Sequence, residues 1–371
     1  NYSINTGASI NPVTNQFQNQ TFKSFSASAN SNIMLFNGLA NWKTLQRSKL
    51  NQIANTYRLD KMKDDIALSI ANSYLQILFN KEQLKVQKNQ NLVTKENIKR
   101  TQELIEAGSL PAGDIYELQA TDATQEQQII STENALLISK VALCQTLLLE
   151  DYATFDISGE VIDLPMSNIT NETQEAILAK AKESVKDVKI ALSNVDVAKK
   201  DVAISRSSYL PTLAGFVGYN TRWSESTPFN FADQLSLFDG TAVGLQLSVP
   251  ILNGFATRGR VQRAKINQER SEFQLKQAEL DLERNVYQAY NDVINAKKSF
   301  EAAQKTLEAR KQSFNFSKER YEVGLMNSFD FSQSTIAYEN AQSEVLRTKY
   351  DYIFRTKILE FYFGIPLIKK Q

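Results

Sequence analysis

Residues able to do covalent chemistry are scarce in this chain. It has 371 residues and no histidine, and its one cysteine, Cys144, sits in the apolar run Ala142-Leu143-Cys144-Gln145-Thr146-Leu147. A lone cysteine in such a run reads as a small buried hydrophobe and builds neither a disulfide framework nor a zinc site. Two short patterns resemble ligand sites. Asp60-Lys61-Met62-Lys63-Asp64-Asp65 could be a metal loop, but inside a helical heptad stretch it reads as a solvated face. Gly254, Arg258 and Gly259 hint at a phosphate loop, yet no Lys-Ser or Lys-Thr follows. No Ser–Lys pair or paired carboxylates stand at a catalytic spacing. The expectation is a protein that is not an enzyme and has no cofactor and no metal.

The formal net charge is +1, with 42% hydrophobic and 22% charged residues. This is globular rather than disordered, and it carries no basic field that would call for nucleic acid. No run of about 18 apolar residues exists, so no membrane-spanning helix is expected, which leaves a β-barrel as the one spanning option. The chain starts at Asn1 rather than Met, which suggests a mature or trimmed product.

The elements that position these residues come from a duplication. Leu35-Phe36-Asn37-Gly38 recurs as Ile251-Leu252-Asn253-Gly254, a shift of 216 residues. The same shift carries Tyr74 to Tyr290, Lys81 to Lys297, Glu103 to Glu319, Gly108 to Gly324 and Asp114 to Asp330. Gly38 to Gly108 and Gly254 to Gly324 are each 70 residues of mostly good helix formers. In the second span Val286, Val293, Phe300, Leu307, Phe314 and Tyr321 stand seven apart, with Ala289, Ala296 and Ala303 three residues after the first three. The counterparts in the first span are Ile70, Ile77, Leu84, Asn91, Ile98 and Ile105. A sustained period of seven predicts coiled-coil packing, and each span predicts a rod of roughly 105 Å. Turns at Gly108 and Gly324 send the chain back through helices over 114–149 and 329–363. Residues 172–208 read as one further helix, half a rod long. Its counterpart by the same shift would precede Asn1, so roughly 40 or more residues are expected to be missing from that end.

Four strands complete the chain. Phe25, Ala27, Ala29, Ile33 and Leu35 alternate with Ser24, Ser26, Ser28, Asn30 and Asn32, while Val243, Leu245, Leu247 and Val249 alternate with Gly244, Gln246 and Ser248. Partner strands are expected near 2–10 and 211–223. A half-buried soluble sheet has this alternation, and so does a transmembrane barrel. Four strands cannot close a barrel, so a barrel would be shared between subunits. The connections 11–20 and 224–240 would then face outside the cell, and the aromatic second one (Phe229, Phe231, Phe238) could line or plug the mouth. Asn37, Gly38, Pro250, Asn253 and Gly254 mark the strand-to-helix junctions, with Asn as a helix cap.

At this point the chain resembles the TolC-type outer-membrane efflux family. The resemblance rests on Val249-Pro250-Ile251-Leu252-Asn253-Gly254-Phe255, on Arg320-Tyr321-Glu322-Val323-Gly324-Leu325-Met326-Asn327-Ser328-Phe329-Asp330, and on the closing Tyr350-Asp351-Tyr352 through Leu359-Glu360-Phe361-Tyr362-Phe363-Gly364. It implies a mainly α fold of long antiparallel coiled-coil hairpins, with four strands per subunit in a trimeric twelve-stranded outer-membrane barrel. The implied parts are barrel hairpins 1–36 and 209–252, periplasmic helical hairpins 37–149 and 253–363, a half-length helix 172–208, and an equatorial belt from 150–171 and 364–371. The implied function is a passive exit duct of a Gram-negative-type bacterium for small molecules or polypeptides. Its implied partners are outer-membrane lipid, a periplasmic adaptor and an inner-membrane pump.

The same resemblance implies a periplasmic gate at the hairpin tips. Tyr321 would be hydrogen-bonded to Asp114, with Asp330 forming an acidic ring that favours cations. The family's gate arginine falls on Met326 and its second acidic ring on Gln333. Asp114 and Asp330 also suit helix N-caps after a glycine turn. A soluble coiled-coil scaffold or an adaptor without a pore is the competing reading, and the strand at 241–250 argues against it.

Overall fold

The structure, a computed structural model, describes all residues except 11–14, 109, 153, 159–168, 170–171 and 366–371, and the side chains of 9, 18, 20 and 22. In chain order the elements are β1 (Tyr2–Ile10), β2 (Phe17–Asn37), α1 (Ala40–Glu106), α2 (Asp114–Leu147), α3 (Gln174–Ser184), α4 (Lys186–Ser207), β3 (Thr212–Ser224), α5 (Phe231–Leu237), β4 (Gly240–Ser248), α6 (Ala256–Glu322) and α7 (Ser328–Phe363). They group into two compact units, one of residues 1–54 with 192–274 and the other of 55–191 with 275–371. The division cuts through α1, α4 and α6 rather than through loops, because contacts follow what each stretch of a long helix packs on.

In the first unit the strands form one antiparallel sheet in the order β1-β2-β3-β4. β2 is longer than its sequence pattern predicts. Phe17 to Phe25 pair with β1 and Ser24 to Asn37 with β3, so one strand serves two partners in succession. The alternation reads through as a two-faced sheet. Phe25, Ala27, Ala29 and Ile33 lie beside Trp223, Thr221, Tyr219 and Gly215, which pair in turn with Thr241 and Leu245 at the β4 side. The opposite face carries Ser26, Ser28, Asn30, Asn220, Ala242 and Gln246. Leu245 and Val243 are 69% and 75% exposed, so the apolar face is open rather than packed on a core. A bulge between Met34 and Phe36 shifts the register just before the junction.

Both junctions use the same device. Gly38 and Leu39 have φ of 65° and 64°, and Gly254 and Phe255 have 58° and 61°. Two successive left-handed residues turn each strand sharply into its helix. A Cβ on Gly38 would lie 2.5 Å from the Ser207 carbonyl oxygen, so glycine is required there on two counts. The Asn37 side chain accepts from the Asn41 backbone N–H, and Asn253 donates to the Thr257 hydroxyl one repeat later. Pro250 lies in the extended link between β4 and α6.

In the second unit the heptad ladder is the seam. Val286, Val293, Phe300 and Tyr321 are buried, as are Ala289, Ala296 and Ala303. Val286 and Val293 join Ile177, Ala181, Val185, Leu282 and Leu359 in one apolar cluster. The single helix expected over 172–208 is two. Val185 takes an extended conformation (φ −69°, ψ 132°) between α3 and α4, and buries its β-branched side chain in that cluster. The Ser184 hydroxyl beside it donates to the Tyr362 carbonyl. Of the expected belt at 150–171 and 364–371, most lies outside the described residues.

Candidate functional site at the helical hairpin tips

The tips are built from the ends of α1 and α6 and the starts of α2 and α7. Gly108 and Gly324 both have φ of 74°, and a Cβ on either would meet nothing within 4 Å. Their role is therefore conformational: each closes its helix in the left-handed C-terminal geometry. Gly324 N–H reaches the Tyr321 carbonyl at 3.0 Å and Leu325 N–H the Arg320 carbonyl at 2.8 Å.

Tyr321 is 6% exposed and lies flat on Phe331, with ring centroids 4.6 Å apart and planes 5° from parallel. Leu118 from the first hairpin completes this cluster, with Ile98, Leu110, Phe314 and Met326 packed around it. Met326 thus fills an apolar niche at the position where the resemblance implies an arginine. The Tyr321 hydroxyl meets the Thr101 hydroxyl of α1 at 2.9 Å, so its hydrogen-bond partner is Thr101 and not Asp114. Asp114 reaches the phenol only as charge. Burial pushes the phenol's pKa up, the Thr101 bond pulls it down, and the Asp114 carboxylate pushes it up again. Asp114 is held in the first turn of α2, where its N–H bonds the Pro111 carbonyl at 3.1 Å.

Neither aspartate is an N-cap. Gly113 caps α2 without a side-chain bond, and Asn327 caps α7 by accepting from the Asp330 N–H at 2.8 Å. Asp330 answers by accepting from Asn327 Nδ2 at 3.0 Å. Both aspartates lie in first turns, where a negative charge meets the positive end of the helix dipole. That accounts for both residue types locally while leaving Asp330 exposed at the tip.

Several residues that hold the two hairpins together carry no mark that the sequence pattern makes plain. Arg100 pairs with Glu322 at 2.9 Å, and Thr121 meets Ser332 at 3.0 Å. Gln125 donates to Glu339 at 2.7 Å, and Gln90 to Gln342 at 2.6 Å. Asn91, the one break in the apolar ladder of α1, donates to Asp122 at 2.6 Å and to Gln125 at 3.3 Å. Asp122, Asn91, Gln125 and Glu339 therefore form one polar chain across three helices, beside a cavity of ≈ 210 Å³ lined in part by Gln87, Thr121 and Ile336. Burial raises the Glu339 pKa, against the lowering effect of the Gln125 bond. The nearest signal in the sequence is that Asn80, Gln87, Thr94 and Thr101 stand seven apart, a polar column beside the apolar one.

These tips can form and break hydrogen bonds between hairpins. Among the described residues no group of acids and cysteines is able to hold a metal ion. The family model of outer membrane efflux proteins matches residues 1–147 and 177–363. The chain belongs to the outer membrane efflux protein family. Members similar to it include the outer membrane protein TolC of Vibrio cholerae, 22% identical over 312 residues, covering 82% of this chain and 68% of that protein. Another is the protease secretion protein PrtF of Dickeya chrysanthemi, 23% identical over 318 residues, with 85% of this chain and 67% of that protein covered. The chain thus spans about two thirds of the length of these relatives. The fold is that of solved outer-membrane channels. The Campylobacter jejuni CmeC channel superposes with a TM-score of 0.72 at 16% identity, covering 98% of this chain and 77% of that one. The Neisseria gonorrhoeae MtrE channel in its open state gives 0.73 at 13%, covering 100% and 82%.

Proposed function

We propose that this chain is one subunit of a homotrimeric exit duct in the outer membrane of a Gram-negative-type bacterium. Each copy would give four strands to a shared twelve-stranded barrel and two helical hairpins to the conduit on its periplasmic side. The observation that carries this reading is the two-faced sheet. Its apolar face is exposed, its other face is mostly small or polar apart from Phe216 and Met34, and among the described residues neither β1 nor β4 has a partner on its outer edge. Exposed edges invite pairing with another chain, and the smallest membrane barrels need about eight strands. No described helix is long and apolar enough to cross a membrane, so the sheet is what would meet lipid.

On this reading 1–36 and 209–252 serve as barrel hairpins, 37–149 and 253–363 as periplasmic hairpins, 172–208 as a bracing segment, and 150–171 with 364–371 as the belt. The duct is passive. An inner-membrane pump, joined through a periplasmic adaptor at the tips, supplies the energy. Cargo is small molecules or polypeptides, in keeping with relatives named for efflux and for protease secretion. Tyr321, Asp114 and Asp330 then belong to the gate, with Thr101 as the hydroxyl partner that holds Tyr321.

Membrane fractionation followed by gel migration with and without boiling tests the assembly. A heat-labile trimer in the outer-membrane fraction is expected, and a water-soluble monomer would sink the reading. Tyr321→Phe combined with Asp114→Ala should raise single-channel conductance in planar bilayers, and adding Thr101→Val should raise it no further. Unchanged conductance in the first variant would remove the gate assignment.

A further inference from the structure

The helix α5 in the aromatic connection between β3 and β4 lies on the apolar side of the sheet, which on the barrel reading is the outside and not the mouth. Phe231 packs at a tilt against both Phe25 and Trp223, with centroid distances of 5.5 Å and 5.6 Å, and those two residues are cross-strand partners on that face. Thr221, on the same face, donates to the Leu235 carbonyl at 2.6 Å.

Gln234 locks the arrangement. It is 1% exposed, accepts from the Ser224 N–H at 2.9 Å, and donates to the Ser224, Thr227 and Phe229 carbonyls. One amide thereby satisfies the backbone of β3 where β4 no longer reaches. A plug would instead need to lie over Ser26, Asn30 and Asn220 on the other face. Phe238, where the chain turns back into β4, meets the guanidinium of Arg222, a residue whose cross-strand partner Ser26 is on the polar face, at 5.5 Å, and so stands apart from the α5 contacts.

Height along the strand locates α5. From Leu213 to Trp223 is ten residue steps, about 33 Å of strand. At the roughly 40° tilt of barrel strands this is about 25 Å of membrane normal, the height of an outer-membrane apolar band. One step beyond Phe25 on the same face stands Lys23, paired with Glu225 at 3.5 Å, so charge begins where the band ends. α5 nevertheless leaves Phe229, Phe231 and Leu237 each about half exposed (51%, 47% and 58%) at this level. Aromatic side chains with one apolar and one wet side suit the boundary between headgroups and acyl chains.

We propose that α5, with Phe229, Phe231 and Leu237, is a lipid-interface anchor, seated at the headgroup–acyl boundary of the outer leaflet on the outside of the barrel and not in its mouth. This rests on the barrel reading above, and its occupant is lipid, because the surface continues the apolar face of the sheet.

Trp42 and Trp223 are the two tryptophans of the chain, so Trp42→Phe leaves Trp223 as the sole reporter. The full protein would be reconstituted in phosphatidylcholine vesicles brominated either near the carbonyl end or toward the terminus of the acyl chain. Trp223 should be quenched more strongly by the shallow bromines, and Phe231→Ala should increase that quenching by uncovering the indole. A second reporter, Val243→Trp with both native tryptophans replaced by Phe, stands opposite Val217 near the middle of the band and should be quenched most by the deep bromines. If the Val243 reporter responds to neither lipid, the barrel reading fails and the anchor with it. If it responds to deep bromines while Trp223 responds only to aqueous acrylamide, or to nothing, the anchor is wrong and the barrel stands.

Discussion

The two helical hairpins share a backbone plan and differ in what closes them. α1 and α6 are each 67 residues, and α2 and α7 are 34 and 36. The second hairpin is closed by rings: Phe300 on Tyr352, Phe314 on Tyr338, and Phe314 and Tyr321 on Phe331. Among the described residues the first has no ring stacks, and it adds polar groups to buried aliphatic side chains such as Ile77 and Leu143. Asn80 donates to the Ala135 carbonyl and the Ser139 hydroxyl, Asn91 reaches Asp122 and Gln125, and Lys95 pairs with Glu126. Duplication kept the period of seven, which is all the backbone needs to pair. The source of cohesion in each seam diverged. Stacked rings tolerate small slides, whereas a buried polar chain either keeps its partners or leaves groups unsatisfied. The first hairpin is therefore the one expected to change state abruptly when the tips part.

The largest expected effect that could break this contrast is at Phe331. Phe331→Ala removes the ring on which Tyr321 and Phe314 stack and should cost about 3–5 kcal/mol in the thermal or denaturant unfolding of the detergent-solubilised protein. A loss below about 1 kcal/mol would mean that the rings do not hold the second hairpin.

Asn91→Ala comes next. It removes the amide that donates to Asp122 and to the Gln125 side-chain oxygen, leaving Asp122 only Lys95 at 3.9 Å and Gln125 only Glu339, and should cost about 1–3 kcal/mol by the same measurement. Asn91→Leu restores the residue found one repeat later, at Leu307. Were it to stabilise the protein with conductance unaltered, the polar seam would have no role in opening.

Thr101→Val and Tyr321→Phe should each cost about 0.5–1.5 kcal/mol, and the double variant no more than the larger single one, because both remove the same bond. Additive losses would show that the two hydroxyls have separate partners.

The smallest effect concerns pH. Burial raises the Glu339 carboxyl above its ordinary 4.5, so the folded chain holds that proton more tightly than the unfolded one. This contribution to stability is complete below pH 4.5 and fades as pH rises through the folded value. Glu339→Gln should flatten that part of the stability curve, read from melting temperatures between acid and neutral pH. An unaltered slope would mean that the carboxyl is solvated in the folded protein.

What the sequence determined by itself was whatever repeats with a period. The shift of 216, the ladder from Val286 to Tyr321 and the alternation from Val243 to Val249 each sum many weak preferences, and they correctly placed the long helices, the tip glycines and the strand faces. The resemblance set Tyr321 against Asp114, whereas its hydroxyl meets Thr101. Only the tertiary structure could decide that Thr101 takes the Tyr321 hydroxyl, that Val185 breaks a helix, and that α5 lies on the apolar side of the sheet. Each depends on a single contact between residues far apart in the chain, such as Thr101 with Tyr321 or Phe25 with Phe231. Such a contact imposes no period on either partner, so nothing in the linear pattern announces it.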